Sequence, residues 1–277
     1  MQITRSIKAA ELPLNQIKQQ TGRFLTPVKP QILDKTQCLF HGIAFDDLFK
    51  IPSIIEKGLF SSQAAKEKGI TLQRTSKYAF NAADRVSLAE PEKKHRINAN
   101  AFDAYALYIK HSLSFAINPK GVALVPDLSP IPGEVQVKDS IPSQAILGAM
   151  LPESFETIAL SELPKSADSS KPIAVIAARA LALYRFLAQT TGMHDAALET
   201  WFEEQASQPE VYGQKKELLK QMRTCFLESM EKKFEKPASQ ILYLDILRSL
   251  VPEGFPIYTS GGELCCEESS HRKAGGI

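Results

Sequence analysis

The sequence predicts an α+β protein in which a split, mixed β-sheet domain precedes an all-helical domain. Residues 1–165 hold most of the 17 prolines and contain short apolar runs of the length expected for strands between turns. After residue 172, apolar residues instead recur at the three- and four-residue spacing of amphipathic helices. We therefore expect domains at 1–165 and 172–260, followed by a mobile tail at 261–277.

The first half alternates predicted strands with predicted helices. A helix is predicted over Asp47–Lys57, because its apolar residues share one face and Gly58 stands at the position of a helix C-cap. A second helix is predicted over Asn100–Lys110, which places Phe102 and Tyr105 on one face. The apolar runs that predict strands are Gln37–Phe40, Val86–Leu88, Ser114–Ile117, Val122–Val125 and Val135–Val137.

The second half is predicted to contain four helices. A polar linker, Lys165–Lys171, precedes Pro172, a residue that suits the first turn of a helix. The tail from Ser260 onward is rich in Gly, Ser and Glu, which predicts mobility. The four predicted helices are Ile173–Gln189, His194–Ala206, Gln214–Glu235 and Ser239–Leu250.

Composition excludes several classes of protein. Hydrophobic residues make up 44% of the 277 residues, enough to bury a core, so a wholly disordered chain is excluded. The 33 basic residues nearly balance the 31 acidic ones, which leaves no general field for attracting nucleic acid or anionic lipid. No nucleic-acid partner is therefore expected, and any anionic ligand needs a local site.

Cysteine spacing and hydropathy predict a cytoplasmic protein. The four cysteines do not have the spacing of metal ligands, and Cys265 and Cys266 are neighbours that rarely form an unstrained disulfide. No metal and a reducing compartment are therefore expected. Residues 1–21 lack the apolar core of a signal peptide. The apolar stretch Ile173–Ala188 is too short to span a bilayer comfortably, so we expect no membrane span.

The first candidate site is the sequence Phe40-His41-Gly42. The histidine and the glycine directly follow a short apolar run, at the end of a predicted strand. Glycine lets a ligand approach main-chain N–H and C=O groups closely, and histidine can donate or accept a hydrogen bond near neutral pH. The alternative is a turn glycine beside a histidine that only stabilises the fold.

Two further candidates lie on predicted strands. Ser87 stands in the middle of Val86-Ser87-Leu88. Glu134 follows the Pro132-Gly133 turn and begins an apolar strand, a position that would expose its carboxylate in an open cleft. The alternatives are a serine bonded within a sheet and a solvated glutamate.

Taken in order, these elements resemble the ADP-ribosyltransferase superfamily. Phe40-His41-Gly42 matches its first strand element, with the histidine typical of the poly(ADP-ribose) polymerase and diphtheria-toxin branch. Gly58-Leu59, Val86-Ser87-Leu88 and Glu134-Val135-Gln136-Val137 follow in the family's order. The resemblance covers roughly residues 35–155. It implies a split sheet that binds NAD, which is consumed as a substrate.

The resemblance also implies a role for each residue. Gly42 would pair its main chain with the nicotinamide carboxamide, and His41 would bond a hydroxyl of the adenosine ribose. Ser87 would steady the nicotinamide or its ribose. Glu134 would accept the 2′-hydroxyl of the nicotinamide ribose and stabilise the cation that forms as nicotinamide leaves. The aromatic residues expected to contact NAD are Phe40, Tyr78 and Tyr105, with Phe80 and Phe115 as further candidates.

The expected activity is that of a mono-ADP-ribosyltransferase, a glycosyltransferase that modifies a target protein after translation. The helical half would recognise that target or cap the cleft. The acidic, serine-containing tail resembles those of translocated bacterial effectors and toxins, which would place the target in a host cytosol. Two alternatives stay open: an NAD glycohydrolase, in which water replaces the acceptor, and a non-catalytic interaction protein with a degenerate fold.

Overall fold

A mixed seven-stranded sheet forms the centre of the fold in this computed structural model. The structure describes residues 32–69, 95–125, 132–153, 159–162, 173–207 and 214–265, all within one unit, Gln31–Ile277. In chain order the strands are β1 Leu39–Ile43, β2 Leu59–Phe60, β3 Arg96–Asn100, β4 Leu113–Ile117, β5 Leu124–Val125, β6 Glu134–Lys138, β7 Ser140–Ile141, β8 Ile146–Met150 and β9 Ile257–Tyr258.

The strand order of the sheet is β5-β6-β3-β1-β4-β8-β9, and β2 pairs separately with β7. All pairs in the sheet are antiparallel except β8 with β9, which is parallel. The predicted α+β class with a mixed sheet is confirmed.

The ladder between β1 and β3 is shorter than those on either side of it. All five residues of β1 pair with β4, and all five residues of β3 pair with β6. Between β1 and β3, in contrast, the described ladder consists of the pair Phe40↔Asn100. Main-chain groups beyond this pair are therefore not drawn together by a regular ladder.

The two faces of the sheet bury separate cores, because side chains alternate along each strand. The larger core lies under the helices and includes residues such as Leu39, Phe115 and Val137. The smaller core is on the other face and contains Phe40 and Tyr258, both fully buried.

Seven α-helical segments are described. They are α1 Ile51–Lys57, α2 Ser62–Glu67, α3 Phe102–Ala104, α4 Ile173–Thr191, α5 Ala196–Ser207, α6 Gln214–Phe234 and α7 Tyr243–Leu250. Helix α4 packs against α5, α6 and the 3₁₀ segment Phe45–Lys50 that follows β1. The helices and the sheet thus share the larger core across the predicted boundary at residue 165.

In the second half of the chain, α4, α5 and α6 begin and end within two residues of their predicted limits, whereas α7 begins at Tyr243, four residues after the predicted start at Ser239. There the apolar spacing persists over several turns, which makes helices predictable from sequence. None of the helices in the described ranges is long and apolar enough to cross a membrane.

Several elements differ from the prediction. The predicted helix Asp47–Lys57 is a 3₁₀ segment up to Lys50 and is α-helical over Ile51–Lys57. Asn100 ends β3 instead of beginning a helix, and the helix that follows is short and continues as a π-helical turn, Tyr105–Ile109. β9, which follows the helices, returns to the sheet beside β8. Residues 260–265, expected to be mobile, are held by main-chain bonds such as that from the N–H of Leu33 to the carbonyl of Gly262, 2.8 Å. The predicted strand Val86–Leu88 lies outside the described residues.

Gly58 provides a test of the packing at the end of α1. It has φ +88, and an added Cβ would lie 2.3 Å from the carbonyl oxygen of Ile141. Gly58→Ala should therefore cost about 2–5 kcal/mol of unfolding free energy, as strain and overpacking add. Gly69→Ala is the matched control, because Gly69 has φ +62 and nothing within 4 Å of an added Cβ. Its cost should be about 1–2 kcal/mol. Equal costs in urea unfolding would contradict this account.

Candidate active site

Three neighbouring strands carry the residues of the candidate site. β3 lies between β1, which contains His41-Gly42, and β6, which begins at Glu134. Phe40 is opposite Asn100, and Asn100 is opposite Glu134. Directly opposed residues point to the same face of an antiparallel sheet. The side chains of Phe40, Asn100 and Glu134 therefore form one row across three strands.

The backbone turn before β6 determines where Glu134 lies. Gly133 has φ +75, and its carbonyl accepts a hydrogen bond from the N–H of Ala101 at 2.8 Å. A Cβ on Gly133 would lie 2.8 Å from the Cβ of Ala104. Glycine at this position lets the turn approach α3 closely, and the Glu134 side chain begins there, half-buried.

The ribbon formed by β3 and β6 has one apolar and one polar face. Ile97, Ala99, Val135 and Val137 alternate with polar residues and turn toward the larger core. The other face carries Arg96, Asn98, Asn100, Glu134, Gln136 and Lys138. The guanidinium of Arg96 donates to Oε1 of Gln136 at 2.9 Å. This face offers both hydrogen-bond donors and acceptors around a carboxylate.

Strand β3 is not among the strands predicted from the sequence. The alternation in Arg96-Ile97-Asn98-Ala99-Asn100 has the period of a strand and could have revealed it. The charged residues just before this segment and the low β-propensity of asparagine both argue against a strand there.

His41 lies on the face opposite Glu134, because β1 side chains alternate and Phe40 shares the Glu134 face. The Nδ1 atom of His41 is 2.9 Å from the main-chain oxygen of Asn98. A carbonyl oxygen only accepts, so Nδ1 carries the proton and Nε2 presents a lone pair. Burial lowers the pKa of His41, which keeps the ring neutral at pH 7.

A charged cluster beside β1 joins the site to the helical half. Asp47, in the 3₁₀ segment after β1, lies 3.1 Å from Arg179 of α4 and 2.6 Å from Lys50. The side chain of Asp47 is 14% exposed, so water screens these pairs less than it screens pairs on the surface. The negative charge of Asp47 partly opposes the decrease in the pKa of His41, and Lys50 adds to that decrease.

Gly42 lies on β1, two residues after Phe40, and protein covers its Cα. A Cβ added there would be 3.9 Å from Ile109 and from Ser112, an ordinary contact distance. Little space is therefore left above Gly42 on the face that it shares with Phe40.

The predicted aromatic residues Phe40 and Tyr105 are part of the smaller core, and Phe115 is buried in the larger core. Phe40 is fully buried and Tyr105 is 3% exposed, and their rings stack at 4.3 Å. Their ring faces are thus occupied by protein, which assigns them a packing role in this structure. The predicted NAD contacts Ser87 and Tyr78 lie outside the described residues.

The described ranges contain no group of three or more His, Cys, Asp or Glu residues arranged to hold a metal ion. Burial raises the pKa of the Cys38 thiol to about 11 and that of Cys225 to about 12. Both cysteines are buried free thiols and stay protonated at neutral pH, the weakly nucleophilic form.

Comparison of the chain with protein-family models, with curated proteins and with solved structures found no match.

The lowered pKa of His41 predicts a pH-dependent stability. The unfolded chain binds a proton at His41 near the ordinary pKa of 6.5, whereas the folded chain binds it only at lower pH. Stability should therefore be complete above pH 6.5 and decrease as the pH falls toward the folded pKa. His41→Gln should reduce this decrease, measured as the change in Tm between pH 7.5 and 5.

The exposed residue His111 supplies the control for this measurement. His111→Gln should keep the pH dependence of the unmodified chain. An unchanged slope in His41→Gln would mean that burial does not hold this ring neutral.

Proposed function

We propose that this protein is a mono-ADP-ribosyltransferase, which cleaves NAD and transfers ADP-ribose to a side chain of a target protein while nicotinamide leaves. The observation that carries this proposal is the placement of Glu134. Its carboxylate begins β6 on the polar face of the sheet, separated by β3 alone from the strand that carries His41-Gly42. The described ladder between β1 and β3 also consists of the single pair Phe40↔Asn100, two residues before Gly42 on β1. These features support the resemblance seen in the sequence.

Glu134 would act on the bond between nicotinamide and ribose. Cleavage of an N-glycosidic bond develops positive charge on the ribose, as in glycoside hydrolysis. A carboxylate held beside that ribose stabilises the charge where it appears, and it can accept the 2′-hydroxyl at the same time. The Gly133 turn and the β3 pairing hold the Glu134 backbone before substrate binds, which lowers the cost of orientation.

His41 would bind the adenosine half of NAD. Its Nε2 lone pair can accept a hydrogen bond from a ribose hydroxyl, because Nδ1 already donates to the Asn98 carbonyl. His41 and Glu134 lie on opposite faces, so a dinucleotide that reaches both would cross between β1 and β3 beyond the Phe40↔Asn100 pair. The main chain of Gly42 follows that pair on β1 and would pair with the planar carboxamide.

The helical half would contribute to the same site instead of acting as a separate module. Arg179 of α4 holds Asp47, which lies in the segment that directly follows the His41-Gly42 strand. We place the reaction in a cytosol, that of a host cell if the chain is exported from a bacterium, with a protein as the acceptor.

A non-catalytic interaction protein is the second candidate, and one observation favours it. The rings of Phe40 and Tyr105 are buried against each other, and Ile109 and Ser112 cover Gly42. An inactive relative of an NAD-binding fold would keep such a closed face. An NAD glycohydrolase would use the same NAD-binding residues as the transferase and would differ only in its acceptor.

The proposal predicts that Glu134→Gln abolishes NAD turnover. Loss of the carboxylate should reduce nicotinamide release by about 10²–10³-fold, because charge stabilisation in the transition state is lost. Release from NAD is measured with purified protein, alone and with cell lysate. Glu56→Gln is the control, since Glu56 is an exposed residue of α1. The Tm of Glu56→Gln should match that of the unmodified chain, and the circular dichroism spectrum of Glu134→Gln should show that this variant folds.

Each outcome selects one activity. Release that requires lysate and depends on Glu134 identifies a transferase, and labelled NAD then marks its target. Release by the protein alone identifies a glycohydrolase or self-modification, which labelling of the chain separates. An absence of both NAD binding and release would refute the enzyme and leave the interaction protein.

A further inference from the structure

We propose that Asn100 binds the 3′-hydroxyl of the ribose whose 2′-hydroxyl is held by Glu134. The inference rests on the proposed function and adds a substrate-binding residue to it. The sequence predicts Asn100 at the start of a helix, whereas the structure places it at the end of the central strand β3.

The register of the sheet brings Asn100 and Glu134 together. They are directly opposed on neighbouring antiparallel strands, so their side chains leave the same face. The Cβ atoms of such a pair lie about 4.5–5.5 Å apart. Both residues are half-buried. A small ligand bound against this row would therefore contact both side chains.

The position of Asn100 is unusual for its residue type. Asparagine is depleted in strands, and β3 is flanked by a strand on each side. The neighbour opposite Asn100 on β1 is the fully buried Phe40. Among the described residues, the Asn100 carboxamide has no hydrogen-bond partner. Asparagine is unfavourable in a strand, and this carboxamide makes no hydrogen bond to the described residues. Together these two facts indicate a role in binding.

The chemistry of the pair fits a vicinal diol. An ionised carboxylate only accepts hydrogen bonds, so Glu134 can accept one that a ribose hydroxyl donates. A carboxamide both donates and accepts, so Asn100 can bind the adjacent hydroxyl in either orientation. Because the carboxamide is uncharged, it orients the sugar without adding a second charge beside the developing cation. Two contacts on neighbouring hydroxyls hold the ribose with its reacting carbon near Glu134.

The experiment pairs a variant with a modified substrate. Nicotinamide release is measured for the full chain and for Asn100→Ala, with NAD and with an analogue that lacks the 3′-hydroxyl on the nicotinamide ribose. We expect Asn100→Ala to lower kcat/KM for NAD by about 10–100-fold, the loss typical of a polar group left unpaired on binding. For the analogue the same variant should change kcat/KM by less than about twofold, because the contact is already absent.

Gln144→Ala serves as the matched control. Gln144 carries the same carboxamide, is exposed, and lies in the 3₁₀ segment Ser143–Ala145, away from the polar face of the ribbon. It should leave kcat/KM unchanged for both substrates. Asn100→Ser is a second variant of small volume, so a folding defect in one substitution does not decide the result.

The outcomes separate the two proposals. Equal losses on NAD and on the analogue, or no loss on either, would overturn the role of Asn100 while Glu134-dependent turnover still stands. If the unmodified chain turns over the analogue as well as NAD, the 3′-hydroxyl is not bound and the inference also fails. An absence of Glu134-dependent turnover would refute the proposed function and this inference together.

Discussion

The pairing of Phe40 with Asn100 is the contact on which the described arrangement of the sheet depends. It is the described residue pair between β1 and β3, the two strands at which the halves of the sheet meet. One half is β5-β6-β3 and the other is β1-β4-β8-β9. Phe40 is fully buried, so the pair is held by packing on the β1 side as well as by the backbone. On the other side of β3, Asn100 is directly opposed to Glu134. The registers on the two sides of β3 therefore determine both the continuity of the sheet and the geometry of the candidate site.

The helical half supports this geometry from the opposite face. Helix α4 packs on the segment that follows β1, where Arg179 pairs with Asp47, and the apolar residues of both halves form one core. After the helices, β9 returns to the sheet, and Leu33 bonds to Gly262 near the other end of the described chain. The two ends of the described chain are thus bonded to each other beside the sheet. The segment that carries His41 lies between these contacts and helix α4.

Different elements were predictable to different degrees, for physical reasons. The long helices repeat their apolar spacing over several turns, so each helix can be predicted from its own sequence. The glycine at position 58 predicted the end of a helix, because glycine adopts the positive φ found there more readily than other residues. β9 has only two residues, too few to show alternation. Asn100 was misassigned because its own propensity opposes the strand that the pairing with Glu134 imposes.

By itself the sequence determined the α+β class, the helices of the second half, and the presence of a glutamate after a Pro-Gly turn. These properties depend on neighbouring residues, whose spacing and conformational preferences act locally. Only the tertiary structure decided that Glu134 faces Asn100, that His41 turns to the other face, and that Phe40 and Tyr105 are buried. Which face a strand residue occupies depends on its register against partners far away in the chain, and a shift of one residue reverses it.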